Sequence, residues 1–319
     1  GGNGSVVRIT DAGSYGGDPP TLSNFLITGG YAQEGGGIYV NNSGPHIINC
    51  RIAGNSSFDT GGAIFGASTF GLRLERCLIL NNNATVAGDV MKMYGGSAGT
   101  KIVNSTILAG SETCSIRLSN SDLTVINSII WAQGGVSICD DDNYFSVEYS
   151  LIGNEGGDVN NGPGNINEDP LFTNQDSEDF SLQSSSPCID AGHPDSEYDD
   201  PDGTRSCMGA YPFEHTLGCM DETACNYDEN ATLDDGSCEY FEGNTIYVDD
   251  DGDSSNCGSE DYPVSTIPTA VDMASNGDTI RVASGEYVFT QDLEFTNDKD
   301  LVIIGEDKEN TIITSNGNG

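Results

Sequence analysis

Residues 21–55 read TLSNFLITGGYAQEGGGIYVNNSGPHIINCRIAGN, and the pattern NFLITGG that starts at Asn24 returns as NCRIAGN at Asn49. It recurs as RCLILNN from Arg76, NSTILAG from Asn104, NSIIWAQ from Asn127 and YSLIGN from Tyr149, at spacings of 25, 27, 28, 23 and 22 residues. A second series runs between these segments, as GGIYV, GAIFG, DVMKM, SIRLS and VSICD. Short apolar strands at this period, separated by Gly and Asn turns, predict a coiled parallel sheet.

Apolar residues alternate within each repeat, which predicts the side chains that face inward. The second and fourth positions of the repeats stack on their equivalents in neighbouring coils, about 4.8 Å away. The predicted core ladder consists of Phe25, Cys50, Cys77, Ile27, Ile52, Ile79, Ile107, Ile130 and Ile152. An antiparallel sandwich also has many short strands, but it does not require the same residue type at the same place in successive segments.

The stretch at 21–55 resembles the right-handed parallel β-helix family with the pectin-lyase-like fold. The motifs SSPCIDAG (185–192) and MGAYPFE (208–214) resemble the end of such domains in bacterial surface proteins. The motifs IYVDDDG (246–252) and STIPTAVDMASNGDTIRVASGEY (265–287) resemble their beginning. The resemblance implies an all-β, right-handed parallel β-helix whose first coil is capped by a short helix.

The motifs that resemble the end of the domain come before those that resemble its beginning. The family's order is restored only if the end of the chain is read on into its start. The tail TIITSNGNG (311–319) joined to the head GGNGSVVRIT (1–10) also reads as strand, turn and strand. We therefore expect one period of a longer tandem repeat. In this interpretation residues 1–216 form the later coils and a closing segment of one β-helix. Residues 217–241 form a linker module, and residues 242–319 form the cap and first coils of the next copy. Two different truncated β-helices in one chain are the alternative.

Residues 218–240, GCMDETACNYDENATLDDGSCEY, resemble a Cys/Asp module found in large secreted proteins of marine Bacteroidota-type bacteria. The module has too few apolar residues for a core of its own, so we expect disulfides to stabilise it. Cys219, Cys225 and Cys238 can form one bridge and leave one thiol for Cys257 or for a neighbouring copy. Elsewhere, Cys188 and Cys207 bracket an acidic loop and are a further candidate pair, whereas Cys50 and Cys77 are expected to be free thiols in the core.

Two acidic stretches are candidate Ca²⁺ sites, because clustered carboxylate and amide oxygens suit this ion. The predicted ligands are Asp228, Asn230, Asp234 and Asp235 in the linker module, and Asp249, Asp251 and Asp253 around Gly252. The alternative for both stretches is a solvated acidic turn, since Asp and Gly also favour turns.

The charge restricts the partners of the 319-residue chain, which carries 50 acidic and 11 basic residues and a formal net charge of -39. Such a surface repels nucleic-acid phosphates and anionic lipid, so neither is expected to bind. No segment approaches the roughly 20 apolar residues of a membrane span. Ten cysteines favour an oxidising, extracellular setting.

Enzymes of this fold cleave acidic polysaccharides, but no acid pair or basic residue lies where that chemistry requires it. His46, His193 and His215 have no acid pair at a matching rung, so we expect no enzyme and, apart from Ca²⁺, no cofactor. The predicted function is a structural repeat of a long extracellular filament or cell-surface appendage, with copies in tandem and in a lateral bundle. The alternative is an adhesin that binds glycans or other cell surfaces, and a polysaccharide lyase or hydrolase is a remote third.

The adhesin alternative depends on where the aromatic side chains lie. A line of exposed aromatic rings on one face would favour stacking against sugars. The candidate rings are those of Tyr39, Phe65, Tyr94, Trp131 and Tyr144, of which Trp131 is expected to point outward.

Overall fold

The computed structural model describes residues 4–12, 18–110, 114–132, 138–140, 144–153, 162–241, 243–289 and 299–315. They form an almost all-β parallel β-helix with one short α-helix, which confirms the predicted fold class. The chain divides into two compact units, Gly1–Glu214 and His215–Gly319. The predicted tail-to-head junction falls on residues 316–319 and 1–3, which lie outside the described residues.

Unit 1 is built from four parallel ladders, here called A to D in the order in which the chain visits them. Each coil runs through all four ladders, or through A, B and C, before it returns one strand spacing further on. Ladder A contains β1 (Val7–Thr10), β5 (Ile38–Asn41), β9 (Ile64–Ala67) and β17 (Ile138–Asp140). Ladder B contains β2 (Thr21–Ser23), β6 (His46–Ile48), β10 (Arg73–Glu75) and β18 (Phe145–Glu148). The long strands β13 (Met91–Val103) and β15 (Ile116–Ile126) belong to both ladders and join them into one ten-stranded sheet.

Ladders C and D complete the coils. Ladder C contains β3 (Leu26–Ile27), β7 (Arg51–Ala53), β11 (Leu78–Leu80), β14 (Thr106–Ala109), β16 (Ile129–Ala132) and β19 (Leu151–Ile152). Ladder D contains β4 (Tyr31–Glu34), β8 (Ser56–Thr60) and β12 (Asn83–Ala84). The repeated segments found in the sequence are therefore the strands of ladder C with the corner that precedes each of them.

The corner between ladders B and C explains why asparagine opens most of the repeats. Asn24, Asn49, Asn104 and Asn127 have φ between 45° and 62°, a left-handed conformation that asparagine tolerates better than most residues. The side chains also bond along the stack, because Asn49 Nδ2 donates to Asn24 Oδ1 at 2.6 Å. Each corner thus turns the chain sharply and is held by the coil beside it.

The inward column of ladder C is buried as predicted, since no isoleucine from Ile27 to Ile152 in that column is more than 2% exposed. In the neighbouring column Cys50 and Cys77 are buried, but Phe25 is 54% exposed, so its assignment to the core ladder was wrong. Phe25 lies on the first coil, and no described coil covers it on the other side.

Serines replace the cysteines further along that column, at Ser105, Ser128 and Ser150, and they form a buried hydrogen-bonded chain. The Ser105 hydroxyl accepts from Cys77 N, the Ser128 hydroxyl from Ser105 N and the Ser150 hydroxyl from Ser128 N, each at 3.1 Å. The backbone N–H groups at this corner are thereby paired inside the core.

A closing segment covers the outer face of ladder C. It includes the antiparallel pair β20 (Phe172–Asn174) and β21 (Asp179–Leu182), joined by a 3-10 turn at Gln175–Ser177. Its apolar side chains pack against the outward residues of ladder C and make a second core, formed by Leu78, Leu80, Ile129, Leu151, Phe172, Phe180, Leu182, Cys188, Cys207 and Met208.

Unit 2 combines the Cys/Asp module with the opening coils of a β-helix. The module contains the short parallel pair β22 (Leu217–Gly218) and β23 (Leu233–Asp234). The coils contain β24 (Thr245–Val248), β25 (Thr279–Val282) and β27 (Val302–Gly305) in one ladder, and β26 (Gly285–Phe289) and β28 (Thr311–Ser315) in another.

The single helix, α1 (Ile267–Met273), begins at the N-cap Thr266, whose side chain accepts from Thr269 N. Ile267, Ala270 and Val271 are its buried residues, and they pack into the core of unit 2. Their spacing of three and four residues matches one face of a helix.

Candidate functional site

The acidic turn after β24 is the densest group of candidate metal ligands. Ligand atoms of Asp249, Asp250 and Asp251 lie within 4.8 Å of one another, the only group of three or more Asp, Glu, His or Cys residues that does so in the described residues. Asp250 was not among the predicted ligands, which were the alternate residues Asp249, Asp251 and Asp253. The turn folds back so that Asp249 Oδ1 accepts from Asp251 N at 3.1 Å, which brings the three carboxylates together.

Asp253 lies outside this group. Its Oδ1 atom accepts from Ser255 N at 2.9 Å and from Ser255 Oγ at 2.7 Å. These bonds favour the ionised form, so they hold the pKa of Asp253 below its usual value. Its carboxylate therefore caps the turn that follows it.

Three of the four predicted ligands of the linker module act as turn caps, and the fourth, Asn230, donates to Asp228. Asp228 Oδ1 accepts from Asn230 N, Asp234 Oδ1 from Gly236 N and Asp235 Oδ1 from Ser237 N, at 2.9–3.0 Å. The hydrogen bonds from Ser237 lower the pKa of Asp235. The carboxylates of Asp228, Asp234 and Asp235 do not form a close group of three in the described part of the chain. The sequence pattern at this module is explained by its turns.

The cysteines of the module are bonded in two pairs, Cys219 with Cys238 and Cys225 with Cys257. Cys225, the cysteine left over by the first bridge, is thus bonded to Cys257, and this bond fixes the module to the loop after β24. A third bridge, which was not predicted from the sequence, joins Cys114 to Cys139. Cys139 pairs with Arg117 in ladder A and Cys114 lies just before β15, so the bridge connects neighbouring coils.

The predicted bridge between Cys188 and Cys207 is absent, and both residues are free and buried, as are Cys50 and Cys77. Cys188 and Cys207 belong to the second core, where Cys207 Sγ accepts from Phe213 N at 3.4 Å. The closing segment is held by apolar packing, so this core replaces the crosslink that we expected there.

Burial raises the pKa of the Cys77, Cys188 and Cys207 thiols to about 12. We therefore expect these thiols to resist alkylation at pH 8 in the folded protein, because the thiolate is the reactive form. Mass spectrometry after iodoacetamide treatment would measure this. The same treatment in denaturant without reductant should modify four cysteines and leave six.

The same shifts predict a loss of stability in alkali. A thiol whose pKa is raised by folding stabilises the fold fully below pH about 9, and this contribution is lost as the pH rises toward 12. Rapid alkylation of any of the three thiols in the folded protein at pH 8 would contradict their burial and, with it, both predictions.

The histidines lie in packing positions. His193 donates its backbone N–H to Asn127 Oδ1 at 2.6 Å, and its ring contacts those of Tyr149 and Tyr198 with centroids 4.6 and 4.9 Å apart. His46 occupies an outward position of ladder B, and His215 lies at the start of unit 2. In the described residues none of the three is part of a close group with two or more acidic residues.

The basic side chains of unit 1 gather on the outer face of the ten-stranded sheet. Five of the chain's 11 lysines and arginines alternate with buried neighbours there, namely Arg8, Arg73, Lys92, Lys101 and Arg117. Tyr39 and Phe65 lie in the same column as Arg8, with Arg8 Cζ 3.9 Å from the Tyr39 ring centre and the two rings 5.5 Å apart. Glu75 and Glu148 lie on the same face, where Glu75 pairs with Arg73 at 2.8 Å, so the strands carry five basic groups against two acidic ones there.

The candidate aromatic residues do not form one line. Tyr39 and Phe65 share a column of ladder A, whereas Tyr94 pairs with Ala67 in the next outward column. Trp131 lies on ladder C, where it borders a groove beside the closing segment. The wall of this groove is formed by residues of the segment 175–180, about 45 positions later in the chain. The repeat pattern does not predict where this segment packs.

No helix in the described part of the chain is both long and apolar enough to span a membrane. Comparisons with protein family models, with curated proteins and with solved structures gave no match.

Proposed function

We propose that this chain is the structural repeat unit of a long extracellular filament or cell-surface appendage, used for attachment or grasping. The proposal includes the pectin-lyase-like type of β-helix and an origin in a secreted surface protein of marine Bacteroidota type, which the sequence motifs suggest. The order of the parts supports it, since the closing segment of unit 1 precedes the helix and opening coils of unit 2.

The observation that carries the proposal is that each unit has an edge whose parallel strands lack a neighbouring strand and expose apolar side chains. In the described residues, strands β2 and β3 of unit 1 and β27 and β28 of unit 2 pair on one side only. Ile313 pairs with Tyr287, which is 5% exposed, yet Ile313 itself is 57% exposed. The inward column of unit 2 is thus uncovered on its last described coil, and on the first coil of unit 1 Phe25, which lies in the column of the buried Cys50, is 54% exposed. A neighbouring copy would supply the coil that covers such edges.

Three further features fit this function. The three disulfides suit an oxidising exterior. The basic face of unit 1 complements the acidic remainder of the chain, so copies could associate laterally through charge. Bound Ca²⁺ at Asp249, Asp250 and Asp251 would stiffen the turn after β24.

Hydrogen exchange on a polypeptide with two copies in tandem would test the proposal. We expect the backbone amides of β28 in the first copy and β3 in the second to exchange more slowly than those of a single copy, because a coil then covers each edge. Ile313→Lys in the first copy should remove this protection, whereas Val288→Lys, on the outward face of β26, should keep it. Equal exchange in the one-copy and two-copy proteins would contradict the proposal, as would a source protein with the mass of a single unit.

A further inference from the structure

The groove beside Trp131 lies between ladder C and the β20–β21 pair, and it encloses about 540 Å³. Its floor is formed by Leu80, Leu108 and Trp131, which occupy equivalent positions on β11, β14 and β16. Successive strands are about 4.8 Å apart, so the floor extends roughly 10 Å along the coils. Phe180 of the closing segment lies behind this surface and is 3% exposed.

Trp131 is the only tryptophan of the chain, and its indole is held in place by Gly153 of the next coil. A Cβ atom at Gly153 would lie 2.1 Å from Trp131 Cε3, so the ring packs closely on the backbone where this residue has no side chain. The ring remains partly exposed and borders the groove. The arrangement provides a fixed, flat aromatic surface.

The rim of the groove is polar. It carries Asn81, Gln175, Asp176 and Glu178, which come from ladder C and from the turn of the hairpin. Glu178 is oriented by Arg51, with which it forms an ion pair, and by Asn81 Nδ2, which donates to its Oε1 at 3.0 Å. A carboxylate oxygen has two acceptor positions, so Glu178 can accept further hydrogen bonds from a ligand hydroxyl.

We propose that this groove binds a neutral glycan, with one pyranose ring on the indole of Trp131 and its hydroxyl groups bonded to the rim. An exposed part of an aromatic ring with several convergent polar groups offers both stacking and hydrogen bonding to a small ligand. The two rim carboxylates and the net charge of -39 repel acidic sugars, which favours uncharged sugars over acidic ones. This site goes beyond the structural role proposed above and does not depend on it, because all its residues belong to unit 1.

Titration of the full chain with neutral hexasaccharides of glucose, mannose and galactose would test the inference. Because Trp131 is the sole tryptophan, we expect a saturable change in its emission with at least one of these glycans. We expect no change with hexagalacturonate, its acidic counterpart. The absence of a saturable response to every neutral glycan would overturn the proposal, as would a preference for the acidic one.

Variants, followed by calorimetry, would assign the response to the groove. Trp131→Ala should weaken binding at least about tenfold, as expected for a central aromatic anchor. Gln175→Phe on the rim should weaken it by obstructing the groove while leaving the floor intact, so it serves if Trp131→Ala fails to fold. Tyr94→Ala is the matched control, since Tyr94 is exposed outside the groove. Wild-type affinity in a folded Trp131→Ala or in Gln175→Phe would overturn the proposal, even if the tandem exchange experiment succeeded.

Discussion

Gly62→Ala is expected to destabilise unit 1 by at least about 3 kcal/mol, the upper range for overpacking in a core that cannot adjust. Gly62 lies where the chain enters ladder A, and a Cβ atom there would lie 2.4 Å from Asp89 O and 2.5 Å from Asn83 O. Both are backbone atoms of the next coil, so neither can rotate away. Urea unfolding followed by circular dichroism would measure the change in free energy.

Gly71→Ala is the matched control for this prediction. Gly71 has φ of +72°, and no atom lies within 4 Å of the position of its Cβ. Only backbone strain is then introduced, which costs about 1–2 kcal/mol. If Gly62→Ala proves no more destabilising than Gly71→Ala, the coils are not stacked as closely as described here.

Cys225→Ser with Cys257→Ser is expected to destabilise unit 2 by about 4 kcal/mol, the chain-entropy value for a loop of this length. The bridge closes a separation of 32 residues and holds the module to the loop after β24. The module has little core of its own, since Cys219 and Ala224 are its only buried apolar residues. We expect proteolysis within 217–241 to become rapid, and hydrogen exchange to rise throughout residues 215–289.

Unit 1 provides the internal control for the disulfide variant. Its free energy of unfolding and its hydrogen exchange should not change, because the bridge lies wholly within unit 2. Loss of less than about 1 kcal/mol from unit 2, with the module still resistant to protease, would show that packing rather than crosslinking holds it.

The repeat pattern predicted the parallel β-helix and the buried isoleucine column of ladder C, and the opening motif at 265–287 placed the short helix. These features depend on residues close in sequence, because a period of two sets the face of a strand and an asparagine at the corner sets the turn. Local composition, by contrast, leaves more than one role open for an acidic residue. Asp228, Asp234 and Asp235 have the composition of a cation site, yet their carboxylates cap successive turns.

The sequence by itself determined the coiled parallel sheet, the inward isoleucine column of ladder C and the presence of disulfides in the acidic module. Tertiary structure alone decided that Phe25 is exposed, that Cys188 and Cys207 stay reduced, and that the hairpin with Glu178 forms one wall of a groove at Trp131. The physical reason is that the alternation of residues along a strand determines which way each side chain points. What covers that side chain depends on a segment far away in the sequence, whose position is set by packing.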